Sequence, residues 1–388
     1  MIGNSRGDSG FGAIIATGAC AAMIFNTLPL FLGAATDAHQ LSHAATGGLG
    51  SLYLGAFGLS SVAAAYWMER ADRRVLALGF FLGAATMLVL AATADGWPFF
   101  AASLFGAGLL LGALYSLSFV IAGERSNPTR AFGIKLLGEV ALGAALLAVI
   151  PLYLLPVFGM AGMLMGFAAV ALAGSLCVPW IARRAPLSST AQPSAGTALP
   201  GLPMAAVACL AALFVFTIGQ SAVWSFVERR GATAEFDGAA IGAALSVAAF
   251  AGGLGSLAAA WISERLGPVT PLLVAASLHA LALTLFAAVS GFPAFVAAVN
   301  LFMFAWLFAL PYMTAAVSAS DPNGRATSLV AACLAFGSMV GPGLAGQLLA
   351  GGGFGCLYAG AAGAALAAYV AFGRLANTRI GPKAGMAD

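Results

Sequence analysis

The sequence predicts an all-α integral membrane protein with twelve transmembrane helices in two pseudo-symmetric six-helix bundles. Three observations lead to this prediction. The composition is extremely apolar, apolar runs of about 20 residues recur along the chain, and sequence landmarks repeat at an offset of 195 in 388 residues.

Apolar residues make up 61% of the chain and charged residues only 7%. A soluble domain carries about a quarter charged residues, so this chain has too little polar surface for water. The net charge of +3 is small, and no basic patch is interleaved with aromatic residues, which argues against nucleic-acid binding. The five cysteines and three histidines lack metal-ligand spacing, so no metal or other cofactor is expected.

Each apolar run is long enough to cross the hydrocarbon core as a helix, the element that satisfies its own backbone polar groups in lipid. The predicted spans, numbered 1 to 12, are 11–33, 45–68, 75–94, 98–122, 132–155, 160–182, 204–227, 237–262, 270–290, 292–317, 326–350 and 355–373. The one long polar stretch, 183–203, is rich in Pro, Ser, Ala and Gly and predicts a flexible cytoplasmic linker. It separates a bundle at 1–182 from a bundle at 204–388, which ends in a short cytoplasmic tail.

Basic residues support this count, because Lys and Arg concentrate on the cytoplasmic side of membrane proteins. If the N-terminus is cytoplasmic, only Arg229 and Arg230 fall on the outer side. The other basic residues fall inside: Arg6, Arg70, Arg73, Arg74, Arg125, Arg130, Lys135, Arg183, Arg184, Arg265, Arg325, Arg374, Arg379 and Lys383. A multi-pass protein of the bacterial inner membrane with both termini in the cytoplasm is therefore expected.

Two landmarks repeat between the halves. The pair Glu69-Arg70 follows span 2, and Glu264-Arg265 follows span 8 at an offset of 195 residues. The same offset relates Arg130, in "NPTRAFG", to Arg325, in "PNGRATS". An offset of about half the chain indicates two halves of common design, an arrangement known among transporters.

The loop after span 2 reads Ala65-x3-Glu69-Arg70-x-Asp72-Arg73-Arg74, and the loop after span 8 reads Ala260-x3-Glu264-Arg265-x-Gly267. These loops resemble the Gly-x3-Asp-Arg-x-Gly-Arg-Arg signature of the major facilitator superfamily, with Ala for Gly and Glu for Asp. The resemblance covers the whole chain. It implies a transporter in which two bundles rock around a central cavity.

In that family the signature loop acts as a cytoplasmic latch whose ion pairs break as the halves move. The resemblance therefore implies a latch at Glu69, Arg70, Arg73, Arg74, Arg125, Arg130, Glu264, Arg265 and Arg325. Such charge-assisted hydrogen bonds are strong where they are shielded from water. The competing interpretation is ordinary cytoplasmic charge bias with solvated ion pairs worth about 0–1 kcal/mol.

Glu139 is the only acidic residue well inside a predicted span. A charge at that depth is costly and marks a functional candidate. Glu139 is interpreted as a proton-coupling carboxylate or as a counter-ion for a cationic substrate. Lys135, one helical turn earlier, would be its ion-pair partner and would extend its ammonium to the cytoplasmic interface.

A polar stripe follows one face of span 7, at Thr217, Gln220, Ser221, Trp224, Ser225 and Glu228. Gln220, Ser221 and Trp224 are predicted to contact a small organic substrate, although polar residues also hold membrane helices together. The resemblance implies that spans 1, 4, 7 and 10 line the cavity. On that basis the further candidates are Asn26, Tyr115, Ser118, Asn300, Trp306 and Tyr312.

The predicted function is secondary active transport of a small, neutral or weakly charged organic compound by a monomer, with H⁺ as the coupling ion. No Gly-x4-Gly-Lys-Ser/Thr ATP-binding loop is present. Alternatives are a drug or metabolite efflux pump of the same fold, or a non-transporting membrane sensor or assembly factor. An integral-membrane enzyme is not expected, since no nucleophile, base and metal-ligand set lies at one depth.

Overall fold

A computed structural model describes residues 5–67, 72–125, 128–181, 183, 202–262, 269–321 and 325–380. These residues are almost entirely helical, because backbone polar groups in a membrane must be satisfied within their own segment. Most of the linker 183–203 lies outside the described residues. So do four of the predicted latch residues, Glu69, Arg70, Glu264 and Arg265.

The first half begins with a broken span and continues through five further passes. Its helices are α1 (Ser5–Ala21), α2 (Met23–Asn26), α3 (Leu28–His39), α4 (His43–Trp67), α5 (Arg73–Ala92), α6 (Trp97–Gly123), α7 (Pro128–Val149) and α8 (Leu155–Ser175). A π-helical turn, Ile150–Leu154, joins α7 to α8, and a 3-10 turn, Val178–Trp180, follows α8.

The second half has α9 (Met204–Ser225), α10 (Val227–Ala232), α11 (Gly238–Ile262), α12 (Val269–Ala287), α13 (Phe292–Ser320) and α14 (Arg325–Ile380). Eight helical segments of the described residues are long and apolar enough to cross a membrane. Two of them, 130–180 and 325–375, each contain two predicted spans.

Glycine divides each of these two long segments into two passes. Gly159 has a φ of 59° and Gly353 a φ of 68°, a left-handed conformation that favours glycine. After Gly353 the chain runs back along itself, since a Cβ on Gly360 would lie 3.2 Å from Leu348 Cδ1. The breaks are 194 residues apart, in line with the repeat seen in the sequence. With α1–α3 and α4 as the first two passes, the predicted fold of twelve helices is confirmed.

The two halves touch near one face of the bundle, which we call the distal face; it contains the loop between α3 and α4 and the helix α10. There, Ser51 Oγ on α4 donates to the carbonyl of Met339 on α14 (2.6 Å) and accepts from the N–H of Gly343 (2.9 Å). A second contact joins α7 to α11, where a Cβ on Gly242 would lie 2.5 Å from the Leu147 carbonyl oxygen. Small residues allow this close approach of helix backbones.

Gly47 on α4 provides a direct test of this packing. A Cβ there would lie 2.2 Å from the Pro342 carbonyl oxygen, whereas a Cβ on the adjacent Gly48 would have no atom within 4 Å. We expect Gly47→Ala to lower the free energy of unfolding in detergent by about 1–3 kcal/mol through overpacking. Gly48→Ala, the matched control, should be neutral or slightly stabilising because alanine favours helix. Equal effects of the two substitutions would contradict the α4–α14 contact.

Candidate functional site

The central feature of the first half is an ion pair buried within α7. The Lys135 ammonium donates to Glu139 Oε1, one helical turn further on. Lys135 is 1% exposed and Glu139 is 3% exposed. The predicted pair is therefore present, but the expectation that Lys135 extends to the cytoplasmic interface is wrong. Neighbouring helices cover its ammonium within the bundle.

Aromatic side chains of α6 form one wall around this pair. Lys135 Nζ lies 4.2 Å from the centre of the Tyr115 ring and 3.7 Å from that of Phe119, so it makes cation–π contacts with both. The Tyr115 hydroxyl lies 3.4 Å from Glu139 Oε2, to which it donates a long hydrogen bond. Ser118, also predicted at the cavity, instead donates to the Tyr115 carbonyl of its own helix (2.6 Å).

The broken first span forms the opposite wall. A Cβ on Gly18 would lie 2.9 Å from Lys135 Cε and 3.0 Å from Glu139 Oε1, so only a residue without a side chain packs there. Asn26 Nδ2 donates to the backbone carbonyl of Glu139 (3.1 Å). The structure thus brings Asn26, Tyr115, Lys135 and Glu139 together. We call these four residues, with Phe119, the α7 cluster.

A second buried polar network lies in the other half. His279 Nε2 is 2.8 Å from Gln220 Oε1, and His279 Nδ1 is 2.7 Å from the Tyr369 hydroxyl. Because the amide oxygen can only accept, Nε2 carries the proton and Nδ1 accepts from tyrosine. Gln220 was predicted as a site residue from the sequence, whereas its partners in this network, His279 and Tyr369, were not. Their only signal was a polar residue inside an apolar span.

The remaining cavity candidates bond within the second half. Ser221 Oγ donates to the Ser338 carbonyl (2.9 Å), and Asn300 Nδ2 donates to the Val296 carbonyl of its own helix (2.8 Å). The Tyr312 hydroxyl donates to the Ala259 carbonyl on α11 (3.0 Å). These contacts hold helices and turns together.

Two aromatic candidates of the second half complete the predicted set. Trp224 is buried on α9. Trp306 is half-buried on α13, with its ring 6.0 Å from that of Phe302. Within the described residues, neither ring packs against or hydrogen-bonds to the α7 cluster.

At the distal face, an ion pair connects the two halves. Arg229 on α10 donates from both terminal nitrogens to the Asp37 carboxylate on α3, at 2.7 and 2.8 Å. Arg229 also bonds the adjacent Glu228 (2.8 Å). The Glu228 carboxylate lies against Gly33 of α3, where a Cβ would collide with it. Burial raises the pKa of Glu228, and its bond to Arg229 opposes that rise.

Two cavities occur elsewhere in the described part of the chain. One, of about 840 Å³, lies at the distal face between the halves, with Asp37, Glu228 and Asp237 at its wall. The other, of about 380 Å³, is an apolar groove between α9 and α14 lined by residues such as Leu210 and Phe336. Neither is lined by the α7 cluster or by the other predicted cavity residues.

Two of the described latch residues, Arg73 and Arg74, make contacts that the sequence does not predict. Arg73, at the start of α5, forms a two-pronged ion pair with Glu124 at the end of α6, with both N–O distances 2.7 Å. Arg74 Nε donates to the Ile181 carbonyl (2.6 Å). Glu124 was not among the predicted latch residues, and the acidic residues that were, Glu69 and Glu264, lie outside the described residues.

Three other cations of the predicted latch, Arg125, Arg130 and Arg325, also fall within the described residues. Arg125 lies 5.8 Å from the centre of the Phe11 ring. Arg325 is 3.9 Å from Asp321, which precedes it by one turn. Arg130 is exposed near the start of α7. Within the described ranges, no group of three His, Cys, Asp or Glu side chains is placed to hold a metal ion.

Comparison with known proteins identifies the family. A family model described as Major Facilitator Superfamily matches residues 11–323. None of the curated proteins compared with the chain matches it.

Similar solved structures show the same fold. A mutant of the nucleoside transporter NupG has 15% identity and a TM-score of 0.73, covering 94% of this chain and 98% of that one. A bacterial homolog of the human lysosomal transporter Spinster, inward-facing and occupied, has 15% identity and a TM-score of 0.66, covering 98% and 97%. Its inward-facing, unoccupied structure has 15% identity and a TM-score of 0.67, covering 99% and 100%. At this identity the likeness concerns the fold alone.

Proposed function

The chain belongs to the major facilitator superfamily, and from that premise we propose that it is a proton-coupled secondary transporter of a small organic compound. It acts as a monomer in a bacterial inner membrane, with both termini in the cytoplasm. The halves at 1–182 and 204–388 rock about a central pathway, so that each side of the membrane gains access in turn.

The buried Lys135–Glu139 pair is the observation that carries this proposal. Glu139 is the only carboxylate well inside a span, and two buried charges persist in a low dielectric only while they are paired. A proton arriving at Glu139 removes one charge and destabilises the pair. Its packing against α1 and α6 then links protonation to the arrangement of three helices.

Alternating access is supported by the contacts at the distal face. The α4–α14 and α7–α11 contacts and the Asp37–Arg229 pair join the halves there. We infer that this conformation is closed on the distal face, and that the distal contacts break when the transporter opens to that side.

Proton coupling is tested in vesicles containing the purified protein and a pH-sensitive dye. Each member of a panel of anionic, neutral and cationic organic compounds is added outside, and lumenal pH is followed. We expect at least one compound to change lumenal pH in protein-containing vesicles and to leave it unchanged in protein-free vesicles. A panel that gives saturable substrate uptake without proton movement would contradict proton coupling.

Neutralising Arg229 tests the distal closure. Asp37 is 67% exposed, and exposed pairs contribute about 0.2–1 kcal/mol. We therefore expect Arg229→Gln to raise the labelling rate of a cysteine placed at Ala34, in the distal cavity, by about 2- to 5-fold. The native cysteines would be replaced by serine in this background.

Arg230→Gln is the matched control for this experiment. It removes the same charge from the same helix, but Arg230 bonds the Phe286 carbonyl within its own half. Labelling should stay near the starting rate. Equal acceleration by both substitutions would mean that net charge, and not the pair between the halves, sets access.

A further inference from the structure

The charges of the α7 cluster balance one to one. Within the part of the chain that the structure describes, Glu139 is the only carboxylate within 4 Å of Lys135 Nζ. The other near neighbours of the ammonium are the faces of Tyr115 and Phe119. Ring faces attract a cation but do not neutralise it.

Protonation of Glu139 upsets this balance. The neutral acid no longer compensates the Lys135 ammonium, and a buried unpaired charge is strongly unfavourable. Among the described side chains, the helices packed on α7 place no replacement anion beside the pair. Tyr115 is the titratable group that faces the pair from α6, α2 contributes the neutral Asn26, α1 contributes Gly18, and α11 carries no charged residue.

From this balance, we propose that the substrate is an organic monocarboxylate that binds Lys135 and crosses the membrane together with one proton. The inference rests on the proposed function of Glu139. A proton passes from a hydronium ion to a Glu139 oxygen, which forms an O–H bond there and leaves a water molecule. The hydrogen bonds that the Lys135 ammonium donates then change partner from Glu139 to the substrate carboxylate. No other covalent bond forms or breaks, and the net charge of the site is zero before and after.

The same balance disfavours an organic cation, which the sequence analysis considered as a partner of Glu139. A cation beside the pair would leave the site with an uncompensated positive charge. A neutral compound would leave the protonated site equally unbalanced. Of the three charge classes, only an anion restores neutrality when it enters with a proton.

The surrounding side chains indicate the body of the substrate. The Tyr115 ring lies 4.9 Å from the Phe119 ring and 5.2 Å from the Phe57 ring, which forms a continuous aromatic surface beside the ammonium. Phe119 is 41% exposed, so it is the member of the α7 cluster past which a substrate reaches Lys135. An apolar or aromatic body next to the carboxylate suits this surface.

Three ring compounds of matched shape test the charge class: benzoate, benzamide and benzylammonium. Their binding to the purified full-length protein in detergent is measured by calorimetry in two buffers of different ionisation enthalpy, which counts the protons taken up. We expect benzoate to bind about 10- to 100-fold more tightly than the other two, with uptake of about one proton. Equal binding of benzoate and benzamide, or no binding of benzoate, would overturn the proposal.

Variants assign the binding to Lys135. Lys135→Gln should weaken benzoate binding about 10-fold or more, while Lys135→Arg, which keeps the charge, should retain it. Glu139→Gln should bind benzoate without proton uptake. If Lys135→Gln fails to fold, the neutral pair Lys135→Gln/Glu139→Gln removes both charges. Full benzoate affinity in either neutralised variant would overturn the assignment.

The same measurements distinguish failure of the carboxylate site from failure of the proposed proton coupling. Benzoate binding that requires Lys135 but takes up no proton in the unmodified protein would support the carboxylate site and contradict coupling through Glu139. Substrate-driven proton movement in vesicles combined with no benzoate binding would have the opposite meaning: it would uphold proton coupling and overturn the carboxylate site.

Discussion

Replacing Glu139 with glutamine is expected to abolish the proton movement that accompanies transport while substrate exchange across the membrane continues. Glutamine has the shape of the protonated acid: its amide oxygen can accept the hydrogen bond that Lys135 donates to Glu139, and its amide nitrogen can donate to the Tyr115 hydroxyl. It cannot release a proton. In dye-loaded vesicles, the substrate-dependent change in lumenal pH should fall about tenfold or more, because no other carboxylate lies well inside a predicted span.

Glu235→Gln is the matched control, since it makes the same chemical change at an exposed carboxylate in the loop between α10 and α11. Its proton movement should equal that of the unmodified protein. Glu139→Gln leaves Lys135 buried and unpaired, which costs about 3–5 kcal/mol, so folding is checked by size-exclusion chromatography. The variant Lys135→Gln/Glu139→Gln carries no buried charge and should show the same loss. Unchanged proton movement in a folded Glu139 variant would reject the coupling role.

Much of the fold could be predicted because lipid imposes one strong rule, a run of about 20 apolar residues for each pass. The positions of the passes could therefore be predicted from the apolar runs and the turns between them. This includes the two passes on either side of Gly159 and the two on either side of Gly353. The interruption of the first pass at α2 was not predicted. The segment from Met23 to Asn26 is as apolar as its neighbours, and hydropathy contains no information on where packing breaks a helix.

The candidate site was predictable only where partners share a helix. Lys135 and Glu139 are four residues apart on α7, so their pairing follows from helix geometry alone. Their burial by Gly18 and Phe119 depends on how α1 and α6 pack, and a single sequence does not contain that information. For the same reason Gln220 was assigned to an open cavity, whereas its partner is His279, 59 residues away.

The partner of Glu124, at the end of α6, could not be predicted from the sequence either. Glu124 lies beside Arg125 in a polar turn and resembles a solvated loop residue in sequence. In the fold it is the partner of Arg73, whose side chain is 2% exposed. Arg73 is also fixed through its backbone, because its N–H donates to the Arg183 carbonyl (3.0 Å) and Asp72 caps α5.

Removing Glu124 is expected to destabilise the protein more than removing Arg73. Glu124→Leu leaves a guanidinium in a site with 2% exposure, whereas Arg73→Met leaves a carboxylate with 16% exposure that water can partly solvate. Loss of one partner of a buried pair costs about 3–5 kcal/mol. The loss of unfolding free energy should therefore be near the upper end of this range for Glu124→Leu and near or below its lower end for Arg73→Met. Equilibrium unfolding in mixed micelles measures both.

The double variant Arg73→Met/Glu124→Leu separates the cost of an orphaned charge from the net value of the pair. Replacing both charges with apolar groups is often neutral, so the double variant should be more stable than Glu124→Leu by about 2 kcal/mol or more. Arg74→Met is the matched control: it loses the one bond to the Ile181 carbonyl, worth about 1.5–3 kcal/mol for a charged donor. If instead the two single effects simply added in the double variant, Arg73 and Glu124 would not be coupled. Their contact would then contribute no more than two independent polar residues at the ends of α5 and α6.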